Sequence, residues 1–229
     1  GGLQLLVNNA GVGQFASVEE TDDQTWDDVI GTNLTAVFRL SRAAIPHLSR
    51  SGGQIVMISS LAGQNPIAGM ATYCASKAAL DHFTSCLMLE VRPKGIRVTT
   101  IAPGSVDTSF GAMPRSGDSS WKLSSEDVAR TVVDVVSLRD DAHTSPVGMR
   151  PMLPGSSVIG AVSYPGSTCQ KYVSDGCCEN EAATISRRLA NAFIDERRFP
   201  VLACVQNHKG RFCQQLTLSK PFHPALHLR

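Results

Sequence analysis

The chain has 229 residues, enough for one sizeable domain or a domain with an appendage. Its 42% hydrophobic content and net charge of +1 argue against a nucleic-acid binder and against a disordered acidic protein. The totals conceal a split: residues 1–154 carry 12 Lys and Arg against 15 Asp and Glu, whereas residues 155–229 carry 9 against 5. Only Cys74 and Cys86 of the seven cysteines fall in the first stretch; Cys169, Cys177, Cys178, Cys204 and Cys213 fall in the second. With no secretory leader and no apolar run long enough to span a bilayer, the expectation is reduced thiols in a cytoplasm, away from membranes.

In chain order, "LQLLV" (3–7) followed by "NNAG" predicts a short interior strand ending in a turn, since Asn and Gly tolerate turn backbone angles. "GGLQLLVNNAG" enters that pattern at its third residue without an initiating methionine, which reads as a fragment. "TDDQTWDDVIGTNLTAVFRLSRAAIPHL" predicts one long helix or two abutting ones. Thr21 and Gln24 are placed as a capping box, and Trp26, Val29, Val37 and Phe38 as its core stripe. "GQIVMISS" (53–60) and "IRVTTIAPG" (96–104) predict buried strands, and the Ala-, Leu- and Met-rich stretch 70–92 between them a helix closed by "PKG". A helix follows at 125–138, with Ser124 as cap and Asp127 three residues on, and "VGMRPM" (147–152) predicts a last short strand. This alternation implies an α/β fold with a parallel sheet covered on both faces. Past Pro154 only "ATISRRLANAFIDERR" has helical spacing, and "HKGRFCQQLTLSKPFHPALHLR" reads as polar and irregular.

One stretch carries chemistry. In "SSLAGQNPIAGMATYCASK", Tyr73 and Lys77 fall one helical turn apart on one face. A free tyrosine has a pKa near 10, and a fixed positive charge beside it favours the phenolate. Ser60 ends the preceding strand, at the sheet edge where parallel folds collect ligands. Taken singly, Tyr-x-x-x-Lys suits a solvated helix face and Ser60 suits a turn. Together they supply a tuned proton donor and a hydroxyl for a substrate oxygen. His47 and His82 have no matching ligand pair and read as fillers.

With "NNAG" after a strand, Asn33 in "GTNLTAVF", "ISSLAG", "YCASK" and "PGSVDT" after a strand, residues 1–154 resemble the short-chain dehydrogenase/reductase family. The resemblance implies a Rossmann-like doubly wound parallel sheet and an NAD(P)-dependent oxidoreductase acting on a small-molecule alcohol or carbonyl substrate, 3-oxoacyl chains included. It also implies a homodimer or homotetramer, with the helix bearing Leu80, Phe83, Leu87 and Leu89 at the subunit contact. Carried over by position, Tyr73 would be the acid-base residue, and Lys77 would depress its pKa and hold the nicotinamide ribose. Ser60 would orient the substrate oxygen, and Asn33 would anchor a water for proton relay. Asn9, Ala10 and Gly11 would lie against the adenosine side. Pro103, Gly104, Val106 and Thr108 would line the nicotinamide pocket.

Family members also begin with a strand and a glycine-rich turn whose helix N-terminus binds the pyrophosphate, and with a residue that selects NAD or NADP. This chain has no such turn. The expectation is therefore a domain lacking its first strands, with "LQLLV" as an exposed edge and the choice between NAD and NADP open. Residues 155–229 are expected to be an irregular extension, with partial disorder as its signature. There, Cys177, Cys178, Cys204 and His208 match no common zinc spacing, so no metal is expected. A non-catalytic dinucleotide-sensing scaffold and an inactive fragment remain the alternatives to an enzyme.

Overall fold

The structure, a computed structural model, describes residues 2–108, 110 and 118–152, together with the backbone of 201–206 and 212–216. Its sheet contains β1 (Leu5–Asn8), β2 (Gln54–Ile58), β3 (Arg97–Pro103), β4 (Val147–Met149), β5 (Val201–Gln206) and β6 (Phe212–Leu216). The spatial order is β4-β3-β2-β1-β5-β6, parallel throughout except that β6 runs antiparallel to β5. The helices are α1 (Asp23–Ile30), α2 (Ala36–Leu48), α3 (Ala71–Val91) and α4 (Ser125–Val136).

Strand alternation sorts the core into two layers. Leu6, Ile55, Met57 and Val98 point to one face and pack on Val37, Ala44 and Leu48 of α2 and on Leu80, Leu87 and Val91 of α3. Leu5, Val7, Val56, Ile58 and Ile101 point to the other face and meet Ala129, Val132 and Val136 of α4. Helices therefore cover both faces, as expected of a Rossmann-like doubly wound sheet, and each fully buried Leu or Ile contributes about 1.5–3 kcal/mol. The predicted "PKG" stop holds: α3 runs into a 3-10 turn at Arg92–Lys94, and Gly95 ends it at φ 73°, a left-handed angle that favours glycine. Among the described residues, no helix is long and apolar enough to cross a membrane.

Four expectations need correction. The first concerns "LQLLV", which is an internal strand: β5 pairs in parallel with β1, from Leu5 with Val201 to Asn8 with Cys204. Its partner comes from "VLACVQ", a short apolar run after Pro200, so the stretch beyond residue 154 includes two strands of the same sheet. The remaining tail readings, including the helix over "ATISRRLANAFIDERR" and the side chains of Cys177, Cys178, Cys204 and His208, lie outside the described residues.

Second, the cap of α1 is Asp22, whose carboxylate accepts from Thr25 N at 2.7 Å. Thr21 donates instead to the Ser17 carbonyl at 2.8 Å, and Gln24 donates to Asp28 at 3.0 Å. Third, Trp26 and Phe38 are 46% and 44% exposed, although Val29 and Val37 are buried. Phe38 sits about a hundred degrees around the helix from Val37, on a flank where it meets Phe83 edge-on at 6.3 Å beneath the Arg42 guanidinium. Fourth, Leu80 and Leu87 are used inside the core and only Leu89 is well exposed, so the outward face of α3 is narrower than the sequence suggests. The expected capping box at Ser124 and Asp127 is present, with Ser124 Oγ accepting from Asp127 N at 3.1 Å and Asp127 accepting from Ser124 N at 2.8 Å.

Candidate active site

Three elements bring the expected residues to one place above the C-terminal ends of β1, β2 and β3. Asn33 arrives on the helical segment between α1 and α2, which is neither one regular helix nor two separate ones. Residues Gly31–Thr35 form a π-turn, closed by a bond from Ala36 N–H to the Gly31 carbonyl. The extra residue of such a turn frees one position from the ordinary ladder. Asn33 uses that freedom: it is buried, its Oδ1 accepts from Val12 N at 2.8 Å, and its Nδ2 donates to the Val12 carbonyl at 2.8 Å and to Ser76 Oγ at 2.9 Å. Ser76 Oγ donates in turn to the Tyr73 carbonyl at 2.7 Å. The turn after β1 is thereby clamped to the first turn of α3.

Tyr73 and Lys77 share the inner face of α3, and both are buried. Lys77 Nζ lies 5.8 Å from the centroid of the Tyr73 ring and donates to the Ile58 carbonyl at 2.9 Å. A Cβ on Gly11 would stand 3.4 Å from both Lys77 Nζ and Asn33 Oδ1, so the turn after β1 closes directly over the ammonium. Burial pulls the Lys77 pKa down from 10.5 and the charge of Asp81 offsets part of that fall, leaving it at about 8. Ser60 caps the 3-10 turn Leu61–Gly63, its Oγ accepting from Ala62 N at 3.1 Å. The Tyr73 ring packs with Ala62 and Met70 and meets Phe110 at 5.2 Å, tilted by 56°.

The remaining expected residues flank this group. Asn9 is buried at the end of β1, Ala10 and Gly11 are half-buried beyond it, and the Asn9 Nδ2 has no protein partner. Pro103 ends β3, and Gly104 N donates to the Met149 carbonyl at 2.8 Å. Val106 bridges Leu123, and Thr108 follows, half-buried.

The sequence reading missed several contributors. Ser76 lies inside "YCASK" and would have been found by asking what a small polar residue does three positions after Tyr73. Gly13 is required because a Cβ there would come within 2.7 Å of Phe110 and 3.2 Å of Tyr73. The Ile58 carbonyl, as backbone, leaves no signal of residue type. Asp81 is a charged residue one turn beyond Lys77, a spacing that was legible.

A sequence model of the short chain dehydrogenase family matches residues 1–118. The chain is 43% identical over 113 residues to 2,5-dichloro-2,5-cyclohexadiene-1,4-diol dehydrogenase LinX of Sphingobium indicum, across 49% of this chain and 45% of that protein. It is 38% identical over 111 residues to the 3-oxoacyl-[acyl-carrier-protein] reductase FabG of Vibrio cholerae, across 48% and 46% of the two chains. The chain thus spans about half the length of these curated relatives. Among solved structures, it resembles an alcohol dehydrogenase from the archaeon Thermococcus sibiricus complexed with 5-hydroxy-NADP. That match has a TM-score of 0.61 at 27% identity and covers 66% of this chain and 64% of that one.

Proposed function

The chain belongs to the short-chain dehydrogenase family, and from that membership we propose an NAD(P)-dependent oxidoreductase that acts on an alcohol or ketone, with Tyr73 as its acid-base group. The observation that carries the reading is the placement of Lys77: a buried ammonium 5.8 Å from the Tyr73 ring, directly under the turn after β1. A surface-facing Lys one turn from a Tyr would need no such enclosure.

The residues present are compatible with such a cofactor. Asn9 Nδ2 is a buried donor without a protein partner, which suits a ligand lying across the end of β1. Asn9, Ala10 and Gly11 would line the adenosine side, Pro103, Gly104, Val106 and Thr108 the nicotinamide pocket, and Lys77 the ribose hydroxyls. A bound nicotinamide would supply or accept the hydride. The chain's own residues would manage the oxygen. In the reductive direction Tyr73 gives its phenolic proton to the carbonyl oxygen as the hydride reaches the carbon, and in the oxidative direction it takes that proton back. The Lys77 charge stabilises the resulting phenolate. An ammonium has three donors, and the Ile58 carbonyl occupies one, so two remain for ribose or water. Ser60 Oγ accepts from Ala62 N, which leaves its own O–H to donate to the substrate oxygen. Asn33 braces the lysine and the turn above it, and its neighbourhood suits the relay water.

Two relatives act, by their names, on a dichlorocyclohexadiene diol and on a 3-oxoacyl-[acyl-carrier-protein]. A secondary alcohol or its ketone is the group common to both chemistries, and it is the substrate class proposed here. The exposed Phe38 on α2 and Leu89 on α3 support a homodimer or homotetramer.

The test is a fluorescence titration with NADH and NADPH, followed by turnover of a panel of secondary alcohols and ketones by wild type and Tyr73→Phe. Binding, with turnover lower by about 10²–10⁴-fold in the variant, is expected. Equal turnover by both proteins would remove Tyr73 from its role, and absence of binding by either nucleotide would overturn the reading.

A further inference from the structure

Among the described residues, Asp81 is the acidic side chain brought under the Ser60 turn, and the roles assigned above make no use of it. It lies one helical turn beyond Lys77 on α3, and both carboxylate oxygens are sealed from solvent without closing a hydrogen bond of ordinary geometry. Such a group is expensive to bury unless a charge compensates it. The packing around it is specific. A Cβ on Gly63 would fall 2.8 Å from Asp81 Oδ2 and 3.0 Å from the Lys77 carbonyl. Gly63 therefore lets α3 press its Lys77–Asp81 turn against the turn that Ser60 caps. Ser59, the buried residue before Ser60, also has a hydroxyl without a partner, and it is near enough to favour the charged carboxylate.

Lys77, one helical turn away on α3, is the nearby opposite charge that favours the ionised carboxylate, without an ion pair closing between them. Residues 5–13, 31–38 and 54–67 contain no Asp, Glu, Lys, Arg or His; of the other elements packed on α3, α1 carries Asp23, Asp27 and Asp28 and the turn after α3 carries Arg92 and Lys94, all exposed, and β3 carries Arg97, which pairs with Asp140. On α3 itself the titratable neighbours are Tyr73 and Cys74 on the Lys77 side, and His82, which is exposed. A buried ammonium in such surroundings would otherwise shed its proton, and a neutral amine cannot stabilise a phenolate.

We propose that Asp81 is a positioning residue for Lys77: a buried carboxylate one turn along α3, walled in by Gly63 and Ser59, that keeps the lysine ammonium charged beside Tyr73. Asp81 touches neither substrate nor cofactor on this account and acts through Lys77, so the inference rests on the functional reading only for the use to which Lys77 is put. The directions of titration agree with the geometry. The Lys77 pKa is lowered by burial and raised by Asp81. That of Asp81 is raised by burial and lowered by Ser59 and Lys77.

The experiment is an NMR titration of the full chain carrying 13Cε-labelled lysine, with Lys77→Met used to assign the Lys77 signal. It needs neither cofactor nor turnover. In wild type the Lys77 midpoint is expected at about 8. A second, smaller inflection is expected on the acid side, above the ordinary carboxylate range, as Asp81 takes up its proton. In Asp81→Asn the acid inflection should vanish and the main midpoint should fall by on the order of one pH unit, the lower end of what a nearby opposite charge does. A wild-type curve without the acid inflection overturns the proposal even if the variant does not fold, and so does an unchanged or raised midpoint in a folded variant. A chain that shows both inflections yet binds neither NADH nor NADPH supports the Lys77–Asp81 coupling and sinks the functional reading alone. The reverse result, binding and turnover with no coupling, sinks the coupling alone.

Discussion

Lys77→Met should change the pH dependence of stability more than stability itself. The lysine titrates at about 8 when folded against 10.5 for an unperturbed lysine, and each pH unit of difference is worth about 1.4 kcal/mol. Keeping Lys77 charged in its buried site therefore opposes folding by roughly 3 kcal/mol below pH 8. Between pH 8 and 10.5 the unfolded chain binds a proton here that the native chain has released, so stability from this group rises with pH across that window and is level on either side. Methionine removes the titration but leaves the Ile58 carbonyl, which Lys77 bonds at 2.9 Å, without its partner, a loss of about 1–3 kcal/mol. These two effects nearly cancel near neutrality, and the Asp81 carboxylate, left without the Lys77 charge, adds a further loss. Urea unfolding of wild type and variant at pH 7 and pH 10.5 isolates the first, because the orphaned carbonyl does not titrate. Wild type should gain on the variant by roughly 3 kcal/mol between the two pH values. A constant difference across that range would mean that the ammonium is solvated, and the burial argument for this site would fail with it.

Asn33→Ala removes both bonds to Val12 and the bond to Ser76. With buried polar groups left unpaired on two elements, it should destabilise the chain by about 2–4 kcal/mol, read as a lower urea midpoint at unchanged slope. A loss under 1 kcal/mol would show that the turn after β1 holds without the π-turn clamp. Ser124→Ala removes an exposed cap from α4 and should lower stability by about 1 kcal/mol, while leaving nucleotide affinity within twofold. A large change in affinity would tie α4 to the site in a way its position beneath the opposite face of the sheet does not suggest.

The parts of the molecule most legible in the sequence are those where a single physical rule decides the outcome. Leu5–Asn8, Gln54–Ile58 and Arg97–Pro103 are apolar runs between turn formers, and such a run buried on both faces has few alternatives to a central parallel strand. The Ser124 box and the Gly95 stop are equally local, since each is a side chain or backbone angle acting within one turn. Phe38 and Trp26 were misjudged because helical spacing fixes which residues share a face without saying how wide the buried face is. Phe38 is one position from buried Val37 and still finds its partner, Phe83, at the rim. The edge assigned to "LQLLV" failed for the opposite reason. Strand pairing with Val201–Gln206 joins segments almost two hundred residues apart, and the apolar character of "VLACVQ" carries no address.

The site divides along the same line. Tyr73, Lys77 and Ser60 announce themselves through spacing and type, because the proton transfer proposed for them restricts which groups can serve. What holds them announces itself less. Asn33 acts through a π-turn that composition does not mark, and Lys77 is held by a backbone carbonyl. Gly63 matters for the atom it lacks, since a Cβ there would fall 2.8 Å from the Asp81 carboxylate, while one on Gly11 would stand in contact with the Lys77 ammonium at 3.4 Å. These two glycines approach the Lys77–Asp81 turn from different sides, one from β1 and one from the Ser60 turn. The lysine is consequently fixed by backbone on both flanks and by charge along its own helix. A side chain with four rotatable bonds held in this way loses most of its conformational freedom on folding, and the tight enclosure keeps its ammonium in the place where a phenol one turn away can use it.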